Sequence, residues 1–199
     1  MRLVSISLLG CQMRNPYIFG YLPFVTIVLF SLTFGLYTVG QSVILFKEIG
    51  LYTGMLEFLT DIQLRVFLLV ISTLLNFMIF AALKVIAETI HETAMLLFSK
   101  DVEGISYSKA RGGNVIYFFG ALSTVAGIHS IKLLGAIFLV TTIVYFIYVV
   151  TKLSRFMTTL STIGLLFFEI IVWGVLISVV VYILLKLYNG LIASLPFIN

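Results

Sequence analysis

Long stretches without any charged residue restrict this fold more than any other feature of the sequence. Four such stretches lie between these pairs of charged residues: Arg14 and Lys47, Arg65 and Lys84, Arg111 and Lys132, Lys132 and Lys152. A fifth, from Phe156 to Leu185, contains Glu169 as its only charge. A helix needs roughly 20 apolar residues to cross a bilayer core of about 30 Å. Since a helix also satisfies its own backbone hydrogen bonds in lipid, each stretch predicts a transmembrane helix.

The overall composition agrees with a protein embedded in a membrane. Of the 199 residues, 61% are hydrophobic and 10% are charged, whereas a soluble domain has about 25% charged residues. The chain can hold four to six spans of ~20 residues, and it leaves no room for a sizeable soluble domain. The single cysteine, Cys11, excludes an internal disulfide framework and any CxxC metal site.

We predict an all-α polytopic membrane helix bundle with five transmembrane helices in one membrane domain, residues 13–199. The predicted spans are residues 22–45, 65–84, 113–129, 132–151 and 160–186. Asn15-Pro16 and Pro23 predict a poor helix at the start of the first block, because proline disfavours the helical conformation in the residue before it. Residues 1–12 are expected to be a dispensable extension, since their short apolar run is at the lower limit for a signal peptide.

The third predicted span is short and rich in small residues. Gly113, Gly120 and Gly127 recur every seven residues and so form a stripe on one helix face. Such stripes let membrane helices pack closely. The stripe favours a spanning helix that turns sharply near His129-Ser130. The alternative is a re-entrant or interfacial helix, which would leave four spans.

The distribution of lysine and arginine predicts a cytoplasmic N-terminus. With five spans, the inner side holds eight of these residues and the outer side four. The inner residues are Arg2, Arg14, Lys84, Lys100, Lys109, Arg111, Lys152 and Arg155, and the outer ones are Lys47, Arg65, Lys132 and Lys186. With four spans, two residues of each group trade sides and the count is unchanged. The positive-inside rule therefore predicts the same orientation, in the plasma membrane, for either number of spans.

The stretch "LKVIAETIHETAMLLF", residues 83–98, concentrates ionisable groups at the end of the second span. Lys84, Glu88, His91 and Glu92 fall on one helical face, so the span is predicted to continue as an amphipathic helix to residue 98. Glu88, His91 and Glu92 are candidate metal ligands, because Glu-x-x-His is the spacing found in di-iron helix bundles. The motif occurs once, and the alternative is that these charges solvate a helix as it leaves the lipid.

Glu169 is the charged residue placed deepest in an apolar block, roughly 10 Å from the end of the last one. A carboxylate at the centre of a membrane helix costs on the order of 2.5–3.5 kcal/mol, so it should face the bundle interior and have a partner. Asn76, mid-way along the second span, is the other deep polar residue, and Trp173 follows Glu169 on the same face. These three residues form a candidate transport or packing site.

Other classes of function find little support in the sequence. It has no Gly-x-Ser-x-Gly, His-Glu-x-x-His or Gly-rich phosphate loop, so we expect neither an enzyme nor a cofactor. No basic run with interleaved aromatic residues indicates a nucleic-acid surface. The expected partners are the lipid bilayer and either another membrane protein or a second copy of the chain.

Three segments resemble a known family. "NPYIFGYLPF", "GLYTGMLEFLTD" and "FAALKVIAETIHETAMLLFSKD" are similar to the YufK-like family of small, uncharacterised integral membrane proteins of Bacillus-type bacteria. The resemblance covers most of the chain from Met13 onward. It implies a bacterial plasma-membrane protein of similar size, and it assigns no activity or functional residue.

Two functions of different classes follow from these features. The first is an accessory or structural membrane component that acts through helix–helix contacts, for which the glycine stripe is the main support. The second is a small transporter or ion- or proton-coupled carrier that uses Glu169.

Overall fold

The computed structural model describes residues 16–99 and 111–194, which are helical almost throughout and contain no strand. The α-helices in this part of the chain are α1 (Pro16–Glu48), α2 (Leu51–Leu56), α3 (Asp61–Phe98), α4 (Asn114–Ser123), α5 (Ile131–Leu153) and α6 (Thr159–Ser194). Short 3₁₀ segments occur at Arg111–Gly113, Thr124–Gly127 and Ser154–Phe156. The predicted all-α membrane helix bundle is confirmed. The extension at residues 1–12 lies outside the described residues.

Four helices within the described ranges are long and apolar enough to cross a membrane: Tyr21–Glu48, Asp61–Phe98, Ile131–Leu153 and Thr159–Gly190. They coincide with the first, second, fourth and fifth predicted spans. The third predicted span, residues 113–129, corresponds to a shorter apolar helix, Asn114–Gly127. Its ten α-helical and four 3₁₀ residues extend about 23 Å.

The start of α1 differs from the prediction. The helix begins at Pro16 and continues through Pro23, where the sequence predicts poor helical structure. Proline is tolerated in the first turn of a helix because the missing N–H has no intrahelical acceptor there. Pro23 lies in the interior, and membrane helices accept proline more readily than soluble ones.

The connection from α1 to α3 is ordered by local hydrogen bonds. Gly50 has φ = 74°, a left-handed conformation that suits glycine and lets α2 begin directly after α1. Thr60 caps α3: its Oγ1 accepts from the Gln63 backbone, and the Gln63 side chain accepts from the Thr60 backbone. Tyr52 donates to Asp61, and this bond to a carboxylate raises the pKa of the tyrosine.

Helix α3 is continuous from its cap to Phe98. Its 38 residues make a rod of about 57 Å, which is longer than a bilayer core. The predicted amphipathic continuation after Lys84 is therefore part of the same helix. The ionisable residues of this continuation are thus held in fixed register with the deep polar residues of the second span.

Helices α1 and α3 pack antiparallel along most of their length. Val39 and Val43 contact Leu64 and Leu68 near the connection, and Gly35 lies against Thr73 further along. Thr73 reaches the backbone of α1 because Gly35 carries no side chain.

Four phenylalanines fill the middle of the bundle next to this contact. Phe30 and Phe34 belong to α1, Phe80 to α3 and Phe138 to α5. Their ring centroids are 5.2–5.7 Å apart in four pairs, within the range of favourable aromatic contacts. We call this group the phenylalanine cluster.

The short helix α4 and its 3₁₀ continuation form an antiparallel hairpin with α5. Gly113 faces Tyr145 and Tyr148, Gly120 faces Thr141, and Gly127 faces Leu134. The contacting residues advance along α4 and its 3₁₀ continuation as their partners recede along α5. The contact covers about 21 Å of α5. At Gly120 an added Cβ would overlap the Thr141 side chain, so the absence of a side chain permits this approach.

Hydroxyl groups within the helices are satisfied mainly by their own backbone. Such groups donate to the carbonyl four residues earlier, as seen for Thr26, Ser31, Thr38, Thr89, Thr93, Ser123, Thr141, Thr142, Thr151 and Ser178. In lipid no water competes for these groups, so the local bond removes the cost of burying them. An interhelical exception joins Thr33 of α1 to Thr124, whose hydroxyl oxygens are 3.0 Å apart.

Candidate functional site

Glu169 is buried and hydrogen-bonded across the bundle. Its Oε1 lies 2.6 Å from Nδ1 of His91, so the pair links α6 to α3. The side chains are 5% and 17% exposed, respectively, which leaves little access for solvent. Glu169 therefore has the kind of interhelical partner that its depth in the sequence predicts.

The packing of α3 against α6 brings the two residues together. Gly164 lies against the ring of Phe98, where an added Cβ would overlap the ring. The rings of Phe98 and Phe168 also contact, with centroids 6.2 Å apart. The contacts move backward along α3, from Phe98 to His91, as they move forward along α6, from Gly164 to Glu169. The two helices therefore run antiparallel.

Buried apolar residues surround the His91–Glu169 pair. Ile90 and Ala94 on α3 and Leu165 on α6 are buried within one turn of the paired residues. In such a setting an imidazole and a carboxyl group satisfy each other and hold a proton between them. The arrangement therefore ties α3 to α6 through two ionisable side chains.

Two of the remaining ionisable residues of α3 bind each other. Lys84 Nζ lies 2.6 Å from Oε1 of Glu88, one turn along the same helix, and Glu92 is exposed. Of the three predicted metal candidates, Glu88 and His91 thus bind different partners, Lys84 and Glu169. Within residues 16–99 and 111–194, no three His, Cys, Asp or Glu side chains are grouped closely enough to hold a metal ion.

The sequence predicts Asn76 and Trp173 as companions of Glu169. In the structure Trp173 lies close to Glu169, whereas Asn76 does not. The Asn76 side chain donates to the carbonyl of Ser72 in its own helix. It precedes His91 by 15 residues, about 22 Å along α3, so it is not a neighbour of the pair. Trp173 is one turn from Glu169 on α6 and partly buried. The second histidine, His129, is exposed in the turn between the hairpin helices, away from the His91–Glu169 pair.

The predicted glycine stripe serves a contact inside the chain. Gly113, Gly120 and Gly127 all face α5, and Gly113 and Gly127 are buried. The stripe is therefore occupied by a neighbouring helix of the same molecule. It does not offer a free surface for another protein.

The sequence singles out both His91 and Glu169, but it does not predict that they pair. Helical spacing identifies neighbours three or four residues apart, whereas these two are 78 residues apart. One feature that could have indicated the pairing is the similar distance of the two residues from the ends where α3 and α6 meet. His91 lies seven residues before Phe98, and Glu169 lies ten residues after Thr159.

Comparison with known proteins places the chain among membrane proteins without an assigned activity. Residues 39–196 match the model of a family of unknown function, DUF5366. The chain is 32% identical over 184 residues to the uncharacterized membrane protein YufK of Bacillus subtilis (strain 168), covering 92% of this chain and 100% of that relative. The resemblance predicted from the three sequence segments is thus confirmed. No solved structure matches.

Proposed function

Because this membrane protein belongs to the DUF5366 family, whose function is unknown, we propose a function from its own site: a small proton- or cation-coupled carrier in which His91 and Glu169 bind the transported proton or ion. The buried contact between these two residues carries the proposal. Ionisable residues inside membrane helices are costly and usually mark ion or proton pathways. Under this proposal the protein is a transporter and not an enzyme.

The proposal includes five crossings of the plasma membrane with a cytoplasmic N-terminus. Met95, near the end of α3, packs with Val149 and Leu153 at the end of α5. The two helices therefore end at the same level, which supports a crossing by α4 and its 3₁₀ continuation before α5 begins. The antiparallel hairpin supports such a return, and the excess of Lys and Arg supports the orientation. The pair then lies in the cytoplasmic half of the bundle.

Flux measurements on the full chain in liposomes test the proposal. Protein is reconstituted with a trapped pH-sensitive dye, and acidification is followed after a potassium diffusion potential is imposed. We expect the wild type to exceed protein-free liposomes, and Glu169→Gln and His91→Asn to fall to the protein-free rate. Glu169→Asp, which keeps a carboxylate, should retain part of the flux.

Glu92→Gln is the matched control, because Glu92 is exposed next to His91 on the same helix. It should preserve the wild-type rate. Size-exclusion chromatography of each variant separates a lost site from lost assembly. Wild-type flux in a well-assembled Glu169→Gln protein, or a wild-type rate equal to that of empty liposomes, would contradict the carrier function.

An accessory membrane component is a second candidate, and a different feature favours it. The part of α6 from Ile177 to Gly190 is exposed at every residue and mostly apolar. A partner helix could therefore pack against it without displacing any contact in the described part of the chain. Under this function Glu169 only fixes helix packing, so Glu169→Gln would change assembly and no protein-dependent flux would be seen.

A further inference from the structure

The end of α3 and the start of α6 form a cleft, and we propose that it binds an anionic phospholipid of the surrounding bilayer, whose headgroup phosphate pairs with Arg155. The α3–α6 cleft is lined by residues 97–99 of α3 and residues 160, 161, 163 and 164 of α6. Its volume of about 490 Å³ is within the range of sites for small molecules. The proposal does not depend on the carrier function, because it uses neither His91 nor Glu169.

The walls of the α3–α6 cleft are mostly apolar. Leu97 and Phe98 line it from α3, and Ile163 lines it from α6. Gly164 lines it as well, and its missing side chain lets α6 approach the ring of Phe98. Leu97 and Ile163 are exposed, so the cleft is accessible from outside the bundle. Both helices are long and apolar enough to cross a membrane, and the apolar group that surrounds such helices is a lipid acyl chain.

Hydroxyl groups lie at the outer end of the cleft. Ser99 follows the last residue of α3, and Ser161 lies in the first turn of α6. The Ser161 hydroxyl is 2.8 Å from that of Thr158. Because the helices run antiparallel, the two serines are nearer the helix ends than Leu97 and Ile163 are. The cleft therefore changes from polar to apolar with depth, as a phospholipid does from its headgroup to its acyl chains.

The chain next to the polar end of the cleft is positively charged. Residues 145–168 contain Lys152 and Arg155 and no Asp or Glu, and on α3 the nearest acidic residue is Glu92, more than one turn before the cleft. Lys152 Nζ lies 5.5 Å from the centroid of the Tyr148 ring, whereas Arg155 is exposed in the 3₁₀ segment that leads to α6. A guanidinium group binds phosphate oxygens in pairs, and basic residues next to clefts between membrane helices bind anionic headgroups. The charge thus favours an anionic lipid over a zwitterionic one.

A lipid in this cleft would contact both helices and hold their ends together. Within the described residues, α3 is the main neighbour of α6, so the α3–α6 contact is the principal attachment of the last helix. A ligand that binds the folded protein and not the unfolded chain raises its stability by mass action. Binding is therefore measurable as a rise in melting temperature.

Thermal unfolding of the full chain in a mild non-ionic detergent tests the proposal. Phosphatidylglycerol and phosphatidylcholine with identical acyl chains are titrated into the protein, and the melting temperature at each concentration gives an apparent affinity. We expect phosphatidylglycerol to raise the melting temperature by several degrees and phosphatidylcholine to act much more weakly. Inorganic phosphate should have no effect, because it has no acyl chain to fill the cleft.

Arg155→Gln removes the proposed phosphate ligand. It should weaken the apparent affinity for phosphatidylglycerol roughly tenfold, since a hydrogen bond to a charged group is lost, and leave the effect of phosphatidylcholine unchanged. Lys132→Gln is the matched control, because it removes an exposed cation at the other end of α5. It should bind phosphatidylglycerol like the wild type.

Leu97→Trp and Leu160→Trp place a larger side chain in the cleft from α3 and α6, respectively. The two leucines are 59% and 82% accounted for by solvent-facing neighbours in no core cluster and are both exposed, so the substitutions displace no buried group. Each should abolish the stabilisation by phosphatidylglycerol. Leu139→Trp, at an exposed position of α5 outside the cleft, should not change it.

The outcomes decide the proposal without reference to proton flux. Equal stabilisation by the two lipids, or by inorganic phosphate, overturns it. Wild-type affinity in Arg155→Gln or in a tryptophan variant overturns it as well. Size-exclusion chromatography confirms that each variant is assembled before titration, and the two tryptophan variants test the cleft independently. Loss of the carrier function would leave all these results unchanged.

Discussion

At the scale of single residues, the His91–Glu169 contact is an interhelical hydrogen bond between two ionisable side chains. The sequence predicts that Glu169 faces the interior and has a partner, since an isolated carboxylate is costly in a membrane helix. It does not predict the partner, because that depends on how α3 and α6 are aligned. Asn76 is also deep in its uncharged block, but its amide donates to a carbonyl of its own helix. It therefore needs no partner on another helix and lies far from Glu169.

The energetic role of this contact is tested by removing one or both side chains. His91→Leu leaves a buried carboxyl without this bond, which should lower the free energy of unfolding in detergent by about 1–3 kcal/mol. The double variant His91→Leu/Glu169→Leu should regain much of that loss, because no polar group is then left buried. Thermal unfolding of the single and double variants measures the coupling.

Glu92→Leu serves as the reference, since an exposed position should change stability by no more than about 0.5 kcal/mol. Additive losses in the double variant would show that the two side chains are not energetically coupled.

At the scale of elements, the helices follow from the sequence more closely than their neighbours do. Uncharged blocks predict α3 and α5 to within a few residues at most ends, because each helix must satisfy its backbone within lipid. The glycine stripe predicts a close contact, and the structure shows α5 as the helix that fills it. The stripe predicts that another helix packs closely against this face, but it does not predict which helix.

The hairpin of α4 and α5 should be sensitive to side-chain size at Gly120 and insensitive at Gly135. Gly120→Leu would drive a side chain into Thr141, and overpacking of this kind costs typically 1–3 kcal/mol. Gly135 has no atom near its added Cβ, so Gly135→Leu should be tolerated. Melting temperatures of the two variants in the same detergent compare them directly. An equal effect at both positions would argue against the hairpin.

At the scale of the whole molecule, the number of crossings depends on the short helix between residues 114 and 127. Charge counting cannot determine it, because four and five spans give the same excess of inner lysine and arginine. Hydropathy cannot either, since the segment is shorter than a full span. The packing of Met95 with Val149 and Leu153 supports the five crossings that we propose, and it is a tertiary contact that no local pattern encodes.

Cysteine labelling of intact cells tests the five-span arrangement. In a Cys11→Ser background, single cysteines replace Thr53, Ser130 and Ser154, and a reagent that cannot cross the bilayer is applied. We expect labelling of Thr53→Cys and Ser130→Cys, with Ser154→Cys labelled only after lysis. With four spans, the results for positions 130 and 154 would be exchanged while position 53 stayed accessible. Protection at position 53 would instead contradict the cytoplasmic N-terminus.

The distance in sequence between His91 and Glu169 also has a consequence for how the protein is made. The ribosome synthesises α3 long before α6, so α1 and α3 can enter the membrane before Glu169 reaches it. The α3–α6 contact can therefore form only when the last helix has been inserted. A chain interrupted before α6 would keep His91 in the bilayer without this carboxylate. Such a fragment should be recognised by membrane quality-control proteases more readily than the complete protein.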